Sequence, residues 1–157
     1  MAVSELQGEL SELVDLTLQT KQAHWNVSGP LYLPLHEQFE EQVKEYREFS
    51  DRVAERILSL GASADGRPQT VVRTSPLGEY PAGYVSDEQA IRIEVDRLSK
   101  ITKNTLARIE RLAEPDPVGQ NLLQEIEYTL EKHLWQMRIH FARPGGTGDG
   151  LPYTSTK

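Results

Sequence analysis

One segment of the chain, residues 34–60, repeats apolar side chains at alternating steps of four and three residues. This spacing is typical of an α-helix with one buried face, because about 3.6 residues complete a turn. Gly61 follows directly, and glycine is a common helix terminator. Such a long amphipathic helix is expected to pack in a bundle. The predicted buried face contains Phe39, Val43, Tyr46, Ser50, Val53, Ile57 and Leu60.

Three further segments share this periodicity. Helices are predicted from about Ser4 to Asn26, from Ser86 to about Leu112, and from Pro117 to about Phe141. Between the second and third helices lies a long connection in which residues 70–77 can form a short helix. The predicted fold is therefore all-α: a ferritin-like four-helix bundle with a long crossover connection that carries a short extra helix. Residues 1–142 form this single domain, and residues 143–157 are predicted to be a flexible tail.

Composition excludes several classes of protein. The 157 residues carry a formal net charge of −7, which argues against a broad basic surface for nucleic acid. Cysteine is absent, so disulfides, thiolate metal sites and thiol catalysis are excluded. No apolar run approaches the roughly 20 residues that span a membrane, and the first 20 residues carry regularly spaced carboxylates, unlike a signal peptide. We expect a soluble, cytoplasmic protein.

Four potential metal ligands, His24, His36, Asp51 and Glu55, form the candidate site. His36 and Asp51 lie fifteen residues apart on one predicted helix, a separation of roughly 22 Å. No single metal site spans that distance. If these residues share an ion, part of the set must come from a second copy of the chain.

Two copies of the second helix can supply this arrangement. Packed antiparallel about a twofold axis near residues 43 and 44, they set His36 opposite Asp51 of the partner subunit and Glu40 opposite Arg47 of the partner subunit. This self-complementarity is what an isologous dimer requires. Asp51 and Glu55 lie on neighbouring turns and can hold one ion together. Imidazole and carboxylate without sulfur suit iron, zinc, manganese or cobalt.

A simpler interpretation treats the acidic residues of this helix as a solvated face, balanced by nearby lysine and arginine. A lone His24 or His36 is also more often structural than a ligand. Steps of about 100° per residue, however, place His36, Glu40 and Asp51 on one edge of the polar face. That grouping favours the metal site. A separate carboxylate stripe, further round the helix, contains Glu37, Glu41 and Glu48.

The motifs around these residues resemble the Dps family, the mini-ferritins of DNA protection during starvation. They are His24-Trp25-Asn26, Leu35-His36-x-x-Phe39, Asp51-x-x-Ala54-Glu55-Arg56, Ser75-Pro76-Leu77 and Glu131-Lys132-His133-Leu134-Trp135. The resemblance covers nearly the whole chain. A match of all these motifs at these spacings would not be expected by chance.

The resemblance implies an enzyme, a ferroxidase, whose iron is bound by His24 and His36 of one subunit and by Asp51 and Glu55 of its twofold partner. Relatives often carry an additional acidic ligand where Glu40 stands, and Trp25 matches a tryptophan beside the site. Family members oxidise Fe(II) preferentially with hydrogen peroxide, store ferric mineral in hollow dodecamers and protect against oxidative damage. Zinc is expected to occupy the site in vitro. The implied nucleation carboxylates are Glu37, Glu41 and Glu48, and the pore candidates are Asp116, Asn121 and Glu125.

Two features depart from the family pattern. No lysine-rich arm precedes the first helix, and the tail offers only Arg143 and Lys157, so we expect DNA binding to be weak. Asn121 stands in a pore lining where relatives carry aspartates. Three alternatives stay open. A classical ferritin would need Glu-x-x-His pairs, which none of the four histidines forms. The others are a DNA-condensing, nucleoid-associated protein with a secondary metal site, and a purely structural dimeric bundle.

Overall fold

The computed structural model describes residues 1–150, which form a bundle of four long helices. The elements are α1 (Ala2–Asn26), β1 (Val27–Ser28), α2 (Tyr32–Ser59), α3 (Pro68–Thr74), β2 (Val85–Ser86), α4 (Asp87–Leu112), α5 (Pro117–Arg138) and a 3-10 turn (Ile139–Phe141). The predicted ferritin-like fold, with a short extra helix in the connection, is confirmed. That short helix begins two residues earlier than predicted, because Pro68 occupies its first turn. The first helix also begins before Ser4, at Ala2.

Side-chain pairs fix the directions of the helices. Glu9 of α1 contacts Thr105 of α4, and Thr20 contacts Glu94, so α1 and α4 run antiparallel. Arg56 near the end of α2 bonds Asp116 at the start of α5, so α2 and α5 are antiparallel as well. The connection between α2 and α4 must therefore cross the length of the bundle, as predicted. It ends in a two-residue parallel pairing of β2 with β1.

The periodic face of α2 lies in the core. Phe39, Tyr46, Val53 and Ile57 are each fully buried, and Val43 is nearly so. Ser50 is half-buried. Leu60, predicted for the same face, follows the last helical residue and is 36% exposed. That single prediction was wrong because the helix ends before its next turn is complete.

The interior of the bundle contains several charged side chains. Arg108 of α4 is buried between Glu9 and Glu12 of α1 and bonds both carboxylates. Glu127 of α5 is also buried, and neither of its carboxylate oxygens has a hydrogen-bond partner. Burial raises the pKa of Glu9 to about 7, although the Arg108 guanidinium opposes the rise. Burial, with the charges of Glu131 and Glu9, raises the pKa of Glu127 to about 9.

Part of the predicted tail contacts the bundle. Asp149 accepts hydrogen bonds of 2.5 and 2.7 Å from the guanidinium of Arg138, which is buried on α5. Residues 151–157, the rest of the predicted flexible tail, lie outside the described residues. Within residues 1–150 there is no helix long and apolar enough to cross a bilayer.

Candidate metal centre

The two histidines are held against each other at one end of the bundle. Nδ1 of His24 lies 2.7 Å from the backbone carbonyl oxygen of His36, and Nδ1 of His36 lies 2.8 Å from the carbonyl oxygen of His24. The rings stack with centroids 3.8 Å apart and planes 16° apart. Because a carbonyl can only accept, both Nδ1 atoms must carry the proton. A neutral imidazole then presents the lone pair of Nε2, and a carbonyl bonded to the other ring nitrogen is the usual way to orient a metal-binding histidine.

The short link between α1 and α2 fixes this arrangement. Val27 pairs with Val85 in the two-residue parallel ladder, and the Ser28 hydroxyl donates to the Val85 carbonyl at 3.0 Å. The amide of Leu31 donates to the Asp87 carboxylate at 2.9 Å. The start of α4 therefore clamps the loop that joins the two histidine-bearing helices. Sequence reasoning missed Asp87, whose only local signal is its position at the start of a helix.

Gly29 provides the turn inside this link. Its φ angle is +115°, a backbone conformation that residues other than glycine rarely adopt. A Cβ atom there would lie 2.9 Å from the carboxylate of Asp87. Glycine is thus required both by the backbone and by the approach of Asp87.

Glu40 lies beside the histidines but is already ion-paired. Its carboxylate bonds Lys21 of α1 and lies 3.6 Å from Nε2 of His24. The hydrogen bond from Lys21, with its charge, lowers the pKa of Glu40, so this carboxylate is ionised. Lys21 also lies over the ring of Trp25, 5.8 Å from its centroid, and Trp25 is 62% exposed. Sequence reasoning missed Lys21, one turn before the histidine on α1.

A shallow pocket of about 390 Å³ opens at this position. Its lining residues are His24, His36, Glu37, Glu40 and Glu41. Glu37 and Glu41, predicted to nucleate mineral, therefore share a surface with the histidines. Glu48, the third predicted nucleation residue, lies further along α2 and is exposed.

Asp51 and Glu55 are exposed in the second half of the same helix. Helix α2 is continuous from Tyr32 to Ser59, so His36 and Asp51 are separated by about 22 Å along the axis. Among residues 1–150, no hydrogen bond or ion pair engages either carboxylate, and no three His, Asp or Glu residues are grouped closely enough to hold an ion. One chain thus presents two incomplete sets of ligands, the histidines at one end of α2 and two free carboxylates towards the other.

The predicted pore residues have different environments. Asp116 is buried, and its carboxylate bonds Arg56. Burial alone would raise the pKa of Asp116, but the Arg56 guanidinium and the amides of Gly119 and Val118 outweigh it and lower that pKa. Asn121 and Glu125 are exposed and bonded to each other at 3.1 Å. Glu125 also pairs with Arg52 at 2.5 Å.

Comparison with known proteins supports the same architecture. A ferritin-like domain family matches residues 3–143. The DNA protection during starvation protein 2 of Deinococcus radiodurans is 45% identical over 137 residues, which are 87% of this chain and 57% of the relative. This chain therefore spans little more than half the length of that relative. The DNA protection during starvation protein of Mycolicibacterium smegmatis is 36% identical over 90% of this chain and 77% of the relative.

A solved structure agrees with these sequence matches. The crystal structure of Dps92 from Deinococcus radiodurans superposes with a TM-score of 0.89 at 44% sequence identity. The match covers 91% of this chain and 87% of that one. The overall fold is thus shared with that Deinococcus radiodurans protein.

Proposed function

Because the chain belongs to the Dps family of ferritin-like proteins, we propose that it is a ferroxidase that oxidises Fe(II), preferentially with hydrogen peroxide. The oxidation takes place at centres shared between twofold-related subunits. The ferric product is stored as mineral inside a hollow dodecamer, which is built from dimers of the twofold-related subunits. Iron is here the substrate and the stored cargo.

The observation that carries this proposal is the reciprocal bonding of His24 and His36. Both Nδ1 atoms are bonded to backbone carbonyls, so the ring nitrogen that remains to bind a metal is Nε2 in each histidine. Two fixed imidazole nitrogens suit a borderline metal such as Fe(II) or Zn(II).

The missing oxygen ligands come from Asp51 and Glu55 of the partner subunit. These carboxylates are exposed and free of ion pairs within the described part of the chain. Carboxylates are hard ligands that favour Fe(III), so they stabilise the oxidised product more than the substrate. Glu40 would join the centre when an ion displaces Lys21, which now neutralises it.

The surface around the histidines supports contact with a second copy. Trp25 lies next to His24, and Tyr32 and Leu33 lie in the first turn of α2, before His36. Their exposed fractions are 62%, 44% and 57%. Large apolar side chains clustered on one face are characteristic of interaction surfaces. Packing this face against a partner would cover them and bring the two incomplete ligand sets together.

The proposed pore is lined by exposed residues in the first turns of α5. The side-chain oxygen atoms of Asn121 and Glu125 would accept hydrogen bonds from the water shell of an Fe(II) ion as it enters. Asp116 would act indirectly, since its buried ion pair with Arg56 holds the start of α5 against α2. The acidic character of the pore then depends mainly on Glu125.

A complementation experiment tests the shared centre. One subunit carries His24→Ala and His36→Ala, and the other carries Asp51→Ala and Glu55→Ala. Each homogeneous assembly should oxidise Fe(II) slowly after anaerobic loading and addition of peroxide. A mixed dimer retains one intact centre of its two, so co-assembled protein should regain fast oxidation in proportion to its content of mixed dimers.

The controls separate assembly from chemistry. Native mass spectrometry measures the mixed dimers, and His140→Ala, which alters an exposed histidine on the 3-10 turn, should oxidise iron at the normal rate. Failure of mixed dimers to regain activity would mean that the ligand sets do not share a centre. Replacement of peroxide by dioxygen in the same assay should slow oxidation, and equal rates would contradict the proposed peroxide preference.

A further inference from the structure

A second cluster of reactive side chains lies in the bundle, away from the proposed metal centre. The phenol oxygen of Tyr46 on α2 lies 2.9 Å from Nδ1 of His133 on α5. Nε2 of the same histidine lies 3.1 Å from a carboxylate oxygen of Glu45. Tyr46 and His133 are 0% and 3% exposed, whereas the side chain of Glu45 is 40% exposed. The three residues connect a buried phenol to the surface of the protein.

The protonation state of this chain of residues follows from its chemistry. The Glu45 carboxylate can only accept, so the proton of His133 is on Nε2. Burial, with a contribution from Lys132, lowers the pKa of His133 to about 4, so the ring is neutral and Nδ1 carries a lone pair. Tyr46 therefore donates its hydroxyl proton to Nδ1. Burial raises the pKa of Tyr46 well above its ordinary value, so the phenol stays protonated at rest.

This geometry prepares Tyr46 to lose an electron and a proton together. Oxidation of a phenol makes its O–H strongly acidic, and a base already bonded to that proton removes the need to form a charged phenol cation. Glu45 then stabilises the imidazolium that results, as a carboxylate does behind a catalytic histidine. Tyr80 provides a contrast, because its buried hydroxyl has no hydrogen-bond partner.

Tyr46 also lies on the helix that carries His36 and Asp51, between the two positions where oxidising equivalents would arise. It is ten residues after His36 and five residues before Asp51 on α2, which are about 15 Å and 8 Å along the helix axis. Fe(II) that meets peroxide one electron at a time releases hydroxyl radical, a one-electron oxidant. A buried phenol can collect such an equivalent while burial keeps the resulting radical away from other molecules.

We propose that Tyr46, His133 and Glu45 form a proton-coupled electron donor that quenches one-electron oxidants of the hydroxyl-radical class. Tyr46 transfers one electron to the radical, which becomes hydroxide, and the phenol proton moves to Nδ1 of His133. The products are a neutral tyrosyl radical and an imidazolium paired with Glu45. A second Fe(II) ion restores the phenol by giving an electron, while His133 returns the proton. The inference relies on the proposed iron oxidation only for the source of the oxidant.

The test uses the assembled, metal-free protein and a photogenerated ruthenium(III) polypyridyl oxidant, so its outcome is independent of ferroxidase activity. Radicals are trapped by rapid freezing and measured by high-field electron paramagnetic resonance. Exposed tyrosines such as Tyr84 and Tyr128 should give radicals that decay quickly by coupling. We expect in addition a slowly decaying tyrosyl signal, whose g-tensor shows a hydrogen bond from imidazolium.

Matched variants assign the signal. Tyr46→Phe should lose the slow component, while Tyr80→Phe, which removes a buried hydroxyl that has no base beside it, should retain it. His133→Gln should diminish the signal and shift its g-tensor to that of a tyrosyl radical without an imidazolium bond. If Tyr46→Phe does not assemble, Glu45→Gln at the surface should still slow formation of the radical. A slow component that survives in Tyr46→Phe, or a radical unaffected by His133→Gln and Glu45→Gln, would overturn the proposal.

Discussion

His24 and His36 each bond through Nδ1 to the backbone carbonyl of the other, although twelve positions separate them in the chain. The two bonds tie the end of α1 to the start of α2 and orient both rings at the same time. The structural role of these histidines therefore belongs to Nδ1, whereas their proposed ligand role belongs to Nε2. Substitutions that imitate one nitrogen can separate the two roles.

Asparagine places an amide nitrogen near the position of Nδ1, whereas it offers nothing at Nε2. We therefore expect His36→Asn to keep the bond to the His24 carbonyl, with a free energy of unfolding within about 0.5 kcal/mol of that of wild type. The free energy of unfolding of His36→Ala should be lower than that of wild type by about 1 kcal/mol. Both variants should bind Zn(II) at least about 10-fold more weakly. Chemical denaturation and calorimetric zinc titration of the same samples measure the two effects. Wild-type zinc affinity in His36→Asn would exclude Nε2 of His36 as a ligand.

The clamp between Gly29 and Asp87 provides a second prediction. Gly29→Ala must accommodate a φ of +115° and a Cβ atom 2.9 Å from the Asp87 carboxylate. We expect a loss of about 1–3 kcal/mol of stability together with slower Fe(II) oxidation, because the loop positions both histidines. Thermal unfolding and stopped-flow absorbance measure these changes.

Gly83→Ala is the matched control for this experiment. Gly83 also has a positive φ, +79°, but an added Cβ would meet nothing within 4 Å. It should lose stability through backbone strain while oxidation stays normal. If Gly29→Ala is destabilised but oxidises iron at the wild-type rate, the link does not position the centre.

Local patterns were sufficient for the helices but not for the contacts between them. The four-and-three spacing predicted the continuous α2 helix and its buried side chains Phe39, Tyr46 and Val53, because helix periodicity is a property of neighbouring residues. The separation of His36 from Asp51 on one helix followed in the same way. Helix ends were less well predicted, as the early start of α1 shows.

The features that sequence reasoning missed all join residues that are distant in the chain. Lys21 bonds Glu40, Asp87 bonds the amide of Leu31, and Tyr46 bonds His133. Such pairs depend on how helices pack and on where the crossover ends, and a single sequence carries no local signal for them. The assignment of ligands to two subunits is still a prediction, since a single chain contains only one half of each proposed centre.

A third prediction concerns the carboxylates beside the histidines. Glu37 and Glu41 line the same pocket as His24 and His36, yet their helix angles differ from those of His36, Glu40 and Asp51 by some 40–140°. We expect the double variant Glu37→Gln, Glu41→Gln to oxidise the first few irons per subunit at a nearly normal rate. Growth of a large ferric core should be slower, because hard oxygen ligands hold iron as mineral begins.

Stopped-flow absorbance at low and high iron loading separates these two phases. Glu110→Gln, which removes an exposed carboxylate from α4, serves as the control and should change neither phase. An equal loss in both phases for the double variant would place Glu37 and Glu41 in the ferroxidase centre.

The last prediction concerns Glu127, whose buried carboxyl group has no hydrogen-bond partner. Its pKa is raised from 4.5 to about 9, chiefly by burial. Between these values the folded protein keeps a proton that the unfolded chain has released. The contribution of this group to the free energy of unfolding is therefore complete below pH 4.5. It decreases by at most about 1.4 kcal/mol per pH unit as the pH rises, and the loss is complete once the pH has passed the folded pKa of about 9.

Glu127→Gln is neutral at every pH, so it should escape this loss. The melting temperature of the variant, relative to wild type, should rise steadily from pH 5 to about pH 9 and then level off. Any constant cost of the buried amide would shift the whole curve without changing its slope. Glu125→Gln, on the exposed side of the same helix, should show no such rise, because Arg52 lowers the pKa of Glu125. A difference between Glu127→Gln and wild type that does not vary with pH would show that Glu127 is ionised in the folded protein, with a partner or ion that compensates its charge.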